Sequence, residues 1–179
     1  SKEDTFLLDY KTQLPETISS NELDNWSSKL GLEVIKEELI LLKNKKSSKH
    51  DIIKNIVSYI RLEWLIALLI KNRCSEIEIK PNLKSDDEGI PYHQAPPKKF
   101  DIEIENKEDY IFIEATLINN AEQVPREINK IPRKINDYIF INSSKDKKTL
   151  FIAPSIHEDS KNMTEWLFEQ KDIKIINYN

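Results

Sequence analysis

Apolar residues change their spacing twice along this chain, dividing it into a helical opening, a strand-rich middle and an alternating close. Leu23, Trp26, Leu30, Val34, Leu39 and Leu42 recur at intervals that suit one face of a helix, which Gly31 can break. After a polar, basic connector over 43–49, Ile52, Ile53, Ile56, Val57, Ile60, Trp64, Leu65, Leu68 and Leu69 form a broad apolar stripe. The stripe predicts a second helix ending near Arg73, with Asp51 in its first turn, where the helix dipole favours an acid. Residues 1–20 hold no sustained period, include Pro15 and read as a docked or frayed arm.

The period then drops to two. Ile77 and Ile79 alternate with Glu76, Glu78 and Lys80 as in a short half-buried strand that Pro81 stops, and a loop dense in Pro, Asp and Gly follows over 81–97. Phe100, Ile102 and Ile104 alternate with Asp101, Glu103 and Glu105. A tight polar connection at 106–109 leads to a second arm, Tyr110 to Ala115, that is apolar on much of both faces. This predicts a hairpin of central strands. Helical spacing returns after Asn120 and runs to about Asn142, with Val124, Ile128, Ile131, Ile135 and Tyr138 on one side. Pro125 suits a first turn, whereas Pro132 predicts a kink or a late start. A strand over 149–153, a helix over 157–169 and a strand over 173–176 complete the order. The expected fold class is α/β, a mixed β-sheet flanked by helices, with a helical N-terminal extension over 1–50 and a main unit over 51–179.

Composition narrows the function. A chain of 179 residues can bury a core without disulfides. The single cysteine, Cys74, excludes a disulfide framework and a cysteine zinc site, and fits a reducing cytoplasm. The longest apolar run, Trp64 to Ile70, is too short to span a bilayer, and the start lacks a signal-peptide pattern, so a soluble, cytoplasmic protein without a membrane partner is expected. With 27 basic against 31 acidic residues, a net charge of −4, any affinity for nucleic acid has to be local or borrowed. Only two glycines, Gly31 and Gly89, are present, which leaves no glycine-rich loop for ATP or NAD phosphates.

Two acids stand out against their neighbours. Asp101 lies on the first arm of the hairpin between Phe100 and Ile102, and Glu114 on the second between Ile113 and Ala115. A turn at 106–109 can bring both to one edge of the sheet. Burying either is costly without a metal or a hydrogen-bonding partner. The alternative is that each faces solvent from an amphipathic strand. Asp86, Asp87 and Glu88 before Gly89 read as a turn with carboxylates capping backbone amides. His50, His93 and His157 are scattered and receive no role.

Four motifs in order change the weighting. Arg61-Leu-Glu-Trp-Leu, then Lys80-Pro-Asn-Leu-Lys-Ser-Asp-Asp-Glu-Gly-Ile-Pro, then Phe100-Asp-Ile-Glu-Ile, then Phe112-Ile-Glu-Ala-Thr-Leu together resemble the cleavage domains of AlwI-type restriction and nicking endonucleases. The resemblance covers about 60–155, including Leu150-Phe-Ile-Ala-Pro as a later strand, and leaves 1–50 unmatched. It implies a branch of the PD-(D/E)xK nucleases, with 51–179 as the catalytic domain. It also implies metal ligands at Asp101 and Glu114, and a third acid, Glu63, from the preceding helix. Phe100 replaces the usual proline before the aspartate. Thr116 stands where the superfamily pattern has lysine, as it does in AlwI-type members, whose sites are completed by a later glutamate and a basic residue seven positions on. Glu127 and Lys134 have that spacing here, and on one helix they would share a face two turns apart. Lys134 could then hold the scissile phosphate or the leaving oxygen. Otherwise Arg126, Lys130, Arg133 and Lys134 are a solvated surface, and in either case they form the best local stripe for phosphate.

The resemblance implies Mg2+, with Mn2+ able to substitute, and hydrolysis of double-stranded DNA as the cleavage domain or small subunit of a type IIS-like enzyme. Partners implied are a DNA-recognition domain or subunit and a transient dimer for cutting both strands. Two other readings stay open. One is a catalytically inactive nuclease-fold interaction subunit, against which the retention of all four acids argues. The other is a structure-selective repair nuclease of the same superfamily, against which Thr116 and the loop 81–91 argue.

Overall fold

Helix α1, Ser20–Lys43, starts on a reciprocal cap: the Glu22 amide donates to Ser19 Oγ at 3.3 Å and the Ser19 amide donates to Glu22 Oε2 at 2.6 Å. Gly31 interrupts it with φ 73°, the break its position in the sequence allows. The computed structural model describes residues 17–138 and 145–179; all but the last four residues of the arm expected over 1–20, and the end of the helix expected to run to about 142, lie outside them. Helix α2, Ser58–Arg73, begins later than the apolar stripe suggests. Ile53–Asn55 form a 3-10 turn, and Ile56 and Val57 are extended, with ψ 130° and 138°. These β-branched residues fit an extended step as readily as a helix. Asp51 therefore lies outside the helix and pairs with Lys54 at 2.8 Å. The two helices meet through Trp26 and Trp64, whose rings stand edge to face at 5.5 Å.

The remaining elements are β1, Glu78–Pro81; β2, Lys84–Ser85; β3, Pro91–His93; β4, Ile102–Glu105; β5, Asp109–Ala115; α3, Gln123–Arg126; α4, Ile131–Tyr138; β6, Asp146–Ile152; α5, Glu158–Lys171; and β7, Ile175–Tyr178. Five strands form one sheet in the order β1-β4-β5-β6-β7. The first two pairings are antiparallel and the last two parallel, so the sheet is mixed and the hairpin's second arm is its central strand. Ile111 and Ile113 join the core under α1 and α2, while Tyr110 and Phe112 pack with Ile131 and Tyr138 of α4. In β6, Leu150 and Ile152 join the first core, and Phe151 packs against Leu167 of α5. This strict alternation places helices on both faces.

The loop expected over 81–97 contains the small ribbon of β2 and β3, closed by a turn in which Asp86 Oδ1 accepts from the amides of Glu88 and Ile90 at 3.0 and 2.9 Å. Trp26 Nε1 donates to the Glu88 carbonyl at 2.8 Å, so the turn docks on α1. The helix expected after Asn120 breaks into α3, a 3-10 turn at Ile128–Lys130 and α4. Proline explains the division: Pro125 falls in the first turn of α3, and Pro132, which cannot donate to Ile128, falls at the start of α4.

Candidate active site

Strand register sets the two central acids side by side. Ile102 pairs with Ile113 across the hairpin, and the Asp101 amide donates to the Ile113 carbonyl at 3.1 Å, so Asp101 stands opposite Glu114. The Ala115 amide donates to Asp101 Oδ2 at 2.7 Å, fixing one of its oxygens. Glu63 enters from α2. All three are buried, with exposures of 5% for Glu63, 8% for Asp101 and 4% for Glu114, which removes the solvent-facing alternative. They line one cleft of about 600 Å³ together with Glu127 and Lys134.

Lys134 is buried as well, and its Nζ donates to both oxygens of Glu114 at 2.6 Å. The solvated-surface alternative therefore fails at Lys134, while the neighbouring Arg133 is exposed and also lines the cleft. The expected helical register between Glu127 and Lys134 does not occur. Glu127 sits at the break after α3 with φ −124° and pairs with Lys130 at 3.6 Å. Both residues still reach the cleft, by way of a bent chain rather than one helix face.

The electrostatics follow from crowding acids into a dry place. Burial, then the charge of Glu114, pushes the Glu63 carboxyl from 4.5 up to about 8, with the Ala95 amide and Lys134 opposing. Burial, then repulsion from Glu114 and Glu63, holds Asp101 well above the ordinary carboxylate range. Burial also raises Glu114, although Lys134 draws it back. Glu63 Oε2 is buried with no hydrogen-bond partner among the described residues. Three acids thus share one buried cation, an arrangement short of positive charge.

Three residues escaped the sequence reading. Asn82 donates from Nδ2 to the Phe100 carbonyl at 2.8 Å and to Glu103 Oε1 at 2.7 Å, while its amide donates to the Asp101 carbonyl at 2.9 Å. It clamps the backbone on which Asp101 sits, and Tyr138 Oη donates to the same Glu103 oxygen. Gln123 is wholly buried and saturates both ends of its amide: Nε2 donates to the carbonyls of Ile118 and Ser155 at 2.7 Å, and Oε1 accepts from the His157 amide and Ser160 Oγ. It ties the loop beyond β5 to the loop beyond β6. Lys99 lines the cleft with its Nζ 4.9 Å over the Tyr138 ring. Each looked like an ordinary polar residue in a loop or on a helix; only the proline beside Asn82 marked a constrained backbone.

A mixed sheet with an acid from a preceding helix and a hairpin presenting two more defines a restriction-endonuclease-like fold. The AlwI restriction endonuclease family model matches residues 10–178, and the chain belongs to that family. The match takes in α1, which the motifs alone leave outside the resemblance. Among solved structures, the small subunit of the heterodimeric restriction endonuclease R.BspD6I is similar, with a TM-score of 0.63 and 24% identity over 80% of this chain and 71% of that one. No curated protein matches the chain.

Proposed function

We propose that this chain is a metal-dependent endonuclease subunit or cleavage domain that hydrolyses phosphodiester bonds of double-stranded DNA. The observation that carries the reading is the convergence of Glu63, Asp101 and Glu114, from three elements, on one cleft beside a buried lysine. The donors suit a hard divalent cation in chemical type, being carboxylate oxygens, and the unpartnered Glu63 Oε2 and the raised carboxyls mark the charge deficit such a cation would relieve. As they stand, no three acidic, histidine or cysteine side chains among the described residues form a ready metal cage. Glu114 gives both oxygens to Lys134, and sharing one of them is the adjustment that binding entails.

Asp101, Glu114 and Glu63 are the residues proposed to hold Mg2+ or Mn2+. When bound, such an ion supplies an activated water and neutralises charge growing on the phosphate. Asp101 is oriented for that task by the Ala115 amide, which leaves its second oxygen for other partners. Lys134, once partly released from Glu114, brings a compact charge towards the phosphate or the leaving oxygen. Glu127, which lines the cleft and pairs loosely with Lys130 at 3.6 Å, is placed to accept a proton or a ligand.

One such site cuts one strand. A double-strand break then needs a second copy or a partner, and R.BspD6I, whose small subunit shares this fold, is by its description a heterodimer. The net charge of −4 supports a separate subunit or domain that selects the DNA sequence. The test is plasmid cleavage with Mg2+ and a recognition subunit, comparing wild type with Asp101→Asn and Glu114→Gln. Both variants should lose more than the roughly 100-fold typical of removing a mere outer partner. Cleavage unchanged in both, or undiminished by a chelator, would overturn the assignment.

A further inference from the structure

A second cleft, of about 510 Å³, adjoins the first, and Ser58 and Leu117 line both. Lys43, Lys45, Lys46, Lys54 and Arg61 line it, and no acid among the described residues does. In a chain of net charge −4 this is a marked concentration of positive charge. Lys54 is engaged by Asp51 at 2.8 Å, whereas no ion pair among the described residues takes up Lys45 or Lys46.

Arg61 is the decisive member. It is 5% exposed, and among the described residues its Nε has no hydrogen-bond partner and no carboxylate pairs with it. Glu38, buried on α1, is held by the Ser48 hydroxyl at 2.7 Å rather than by Arg61. A buried guanidinium without a counter-charge is costly, and its planar fork matches the oxygens of a phosphate. Arg61 lies two residues from Glu63 on α2, so the two point to different faces of the helix, as their lining of two adjoining clefts requires.

We propose that this second cleft seats a backbone phosphate of the DNA beyond the one being cut, with Arg61 as the fork and Lys45 and Lys46 as flanking charges. The proposal rests on the nuclease reading and adds a path for the strand. The test uses the full chain with chelator present, a short labelled duplex of arbitrary sequence, and fluorescence anisotropy over a range of salt concentrations. The paired substitution Lys45→Ala and Lys46→Ala should weaken binding and flatten the slope of log affinity against log salt by about 1.8, and Arg61→Met by about 0.9. Without DNA, Arg61→Met should unfold at the same temperature as wild type or higher, because it removes an uncompensated buried cation. Inorganic phosphate should compete with the duplex.

Unchanged salt slopes would overturn the proposal, and so would absence of duplex binding by wild type at low salt. A drop in the DNA-free melting temperature of Arg61→Met would reassign the arginine to a structural role. Inorganic phosphate bound without any effect on the duplex would leave a free-anion site instead. Asp101→Asn separates the two readings: salt slopes that depend on Arg61, together with cleavage indifferent to Asp101, would sink the nuclease assignment and leave this site standing.

Discussion

Replacing Lys134 with methionine tests the electrostatics of the cleft most directly. The two side chains of the Lys134–Glu114 pair are 6% and 5% exposed, and Nζ lies 2.6 Å from both carboxylate oxygens. Methionine keeps most of the lysine stem and removes the charge, so the packing against Phe100, over whose ring Nζ lies at 5.4 Å, changes little. Removing one partner of a buried pair costs about 3–5 kcal/mol, because the other charge is left uncompensated. Glu114 can escape by taking up a proton, which sets the pH dependence. Its folded pKa is already raised by burial, and loss of Lys134 raises it further. The stability of the variant is therefore retained below the unfolded pKa of a glutamate and lost as pH rises towards the folded one. Urea denaturation should show Lys134→Met close to wild type near pH 5 and about 3 kcal/mol less stable at pH 8. Adding Glu114→Gln should restore most of the loss. A cost at pH 8 within about 0.5 kcal/mol of zero, or a double variant no more stable than the single one, would refute the reasoning.

Three further outcomes follow from the same geometry. With its carboxyl at about 8 in the folded chain against 4.5 as the ordinary value, Glu63 makes metal-free wild type lose roughly 2 kcal/mol between pH 6 and pH 8. Glu63→Gln should flatten that slope in urea titrations, and Mn2+ should raise the melting temperature of wild type but not of this variant. Asn82→Ala leaves the Phe100 carbonyl without its donor and Glu103 with Tyr138 alone, and should cost about 1–3 kcal/mol by denaturation, with kcat reduced more than KM is changed. Gly89→Ala sets a Cβ 3.0 Å from Glu22 Cβ at φ +75°, so it should destabilise the chain by more than about 1 kcal/mol, measured as a lower melting temperature.

The sequence exposed some of these features and hid others for identifiable reasons. The hairpin was legible because Ile102 to Glu105 alternate and a polar turn separates two apolar arms, but alternation misplaces Phe100, which leaves the face of Ile102 and Ile104 and stacks on Phe112. The Gly31 break and the late start at Pro132 were legible because each residue imposes a backbone constraint of its own. The start of α2 was not, since Ile52, Ile53, Ile56 and Val57 satisfy a helical period while adopting a 3-10 turn and an extended step. Asp101 and Glu114 could be nominated locally. The placement of Glu63 beside them depends on how α2 crosses the sheet, which no local pattern encodes. Glu127 and Lys134 reach the cleft although the helix meant to carry them is broken. Gln123 and Asn82 act through backbone groups up to 34 residues away, a kind of contact that leaves no spacing signal.

The facing of Asp101 by Glu114 has a consequence for how this protein can change its length. Side chains alternate across a strand, so one residue inserted between Asp109 and Glu114 would turn the glutamate from the α4 side of the sheet to the α2 side. Two inserted residues would return it to the original side, one rung further along. The hairpin therefore counts in pairs: odd insertions on either arm erase the acid constellation at a stroke, whereas even ones lengthen the arm and leave the acids facing the same way.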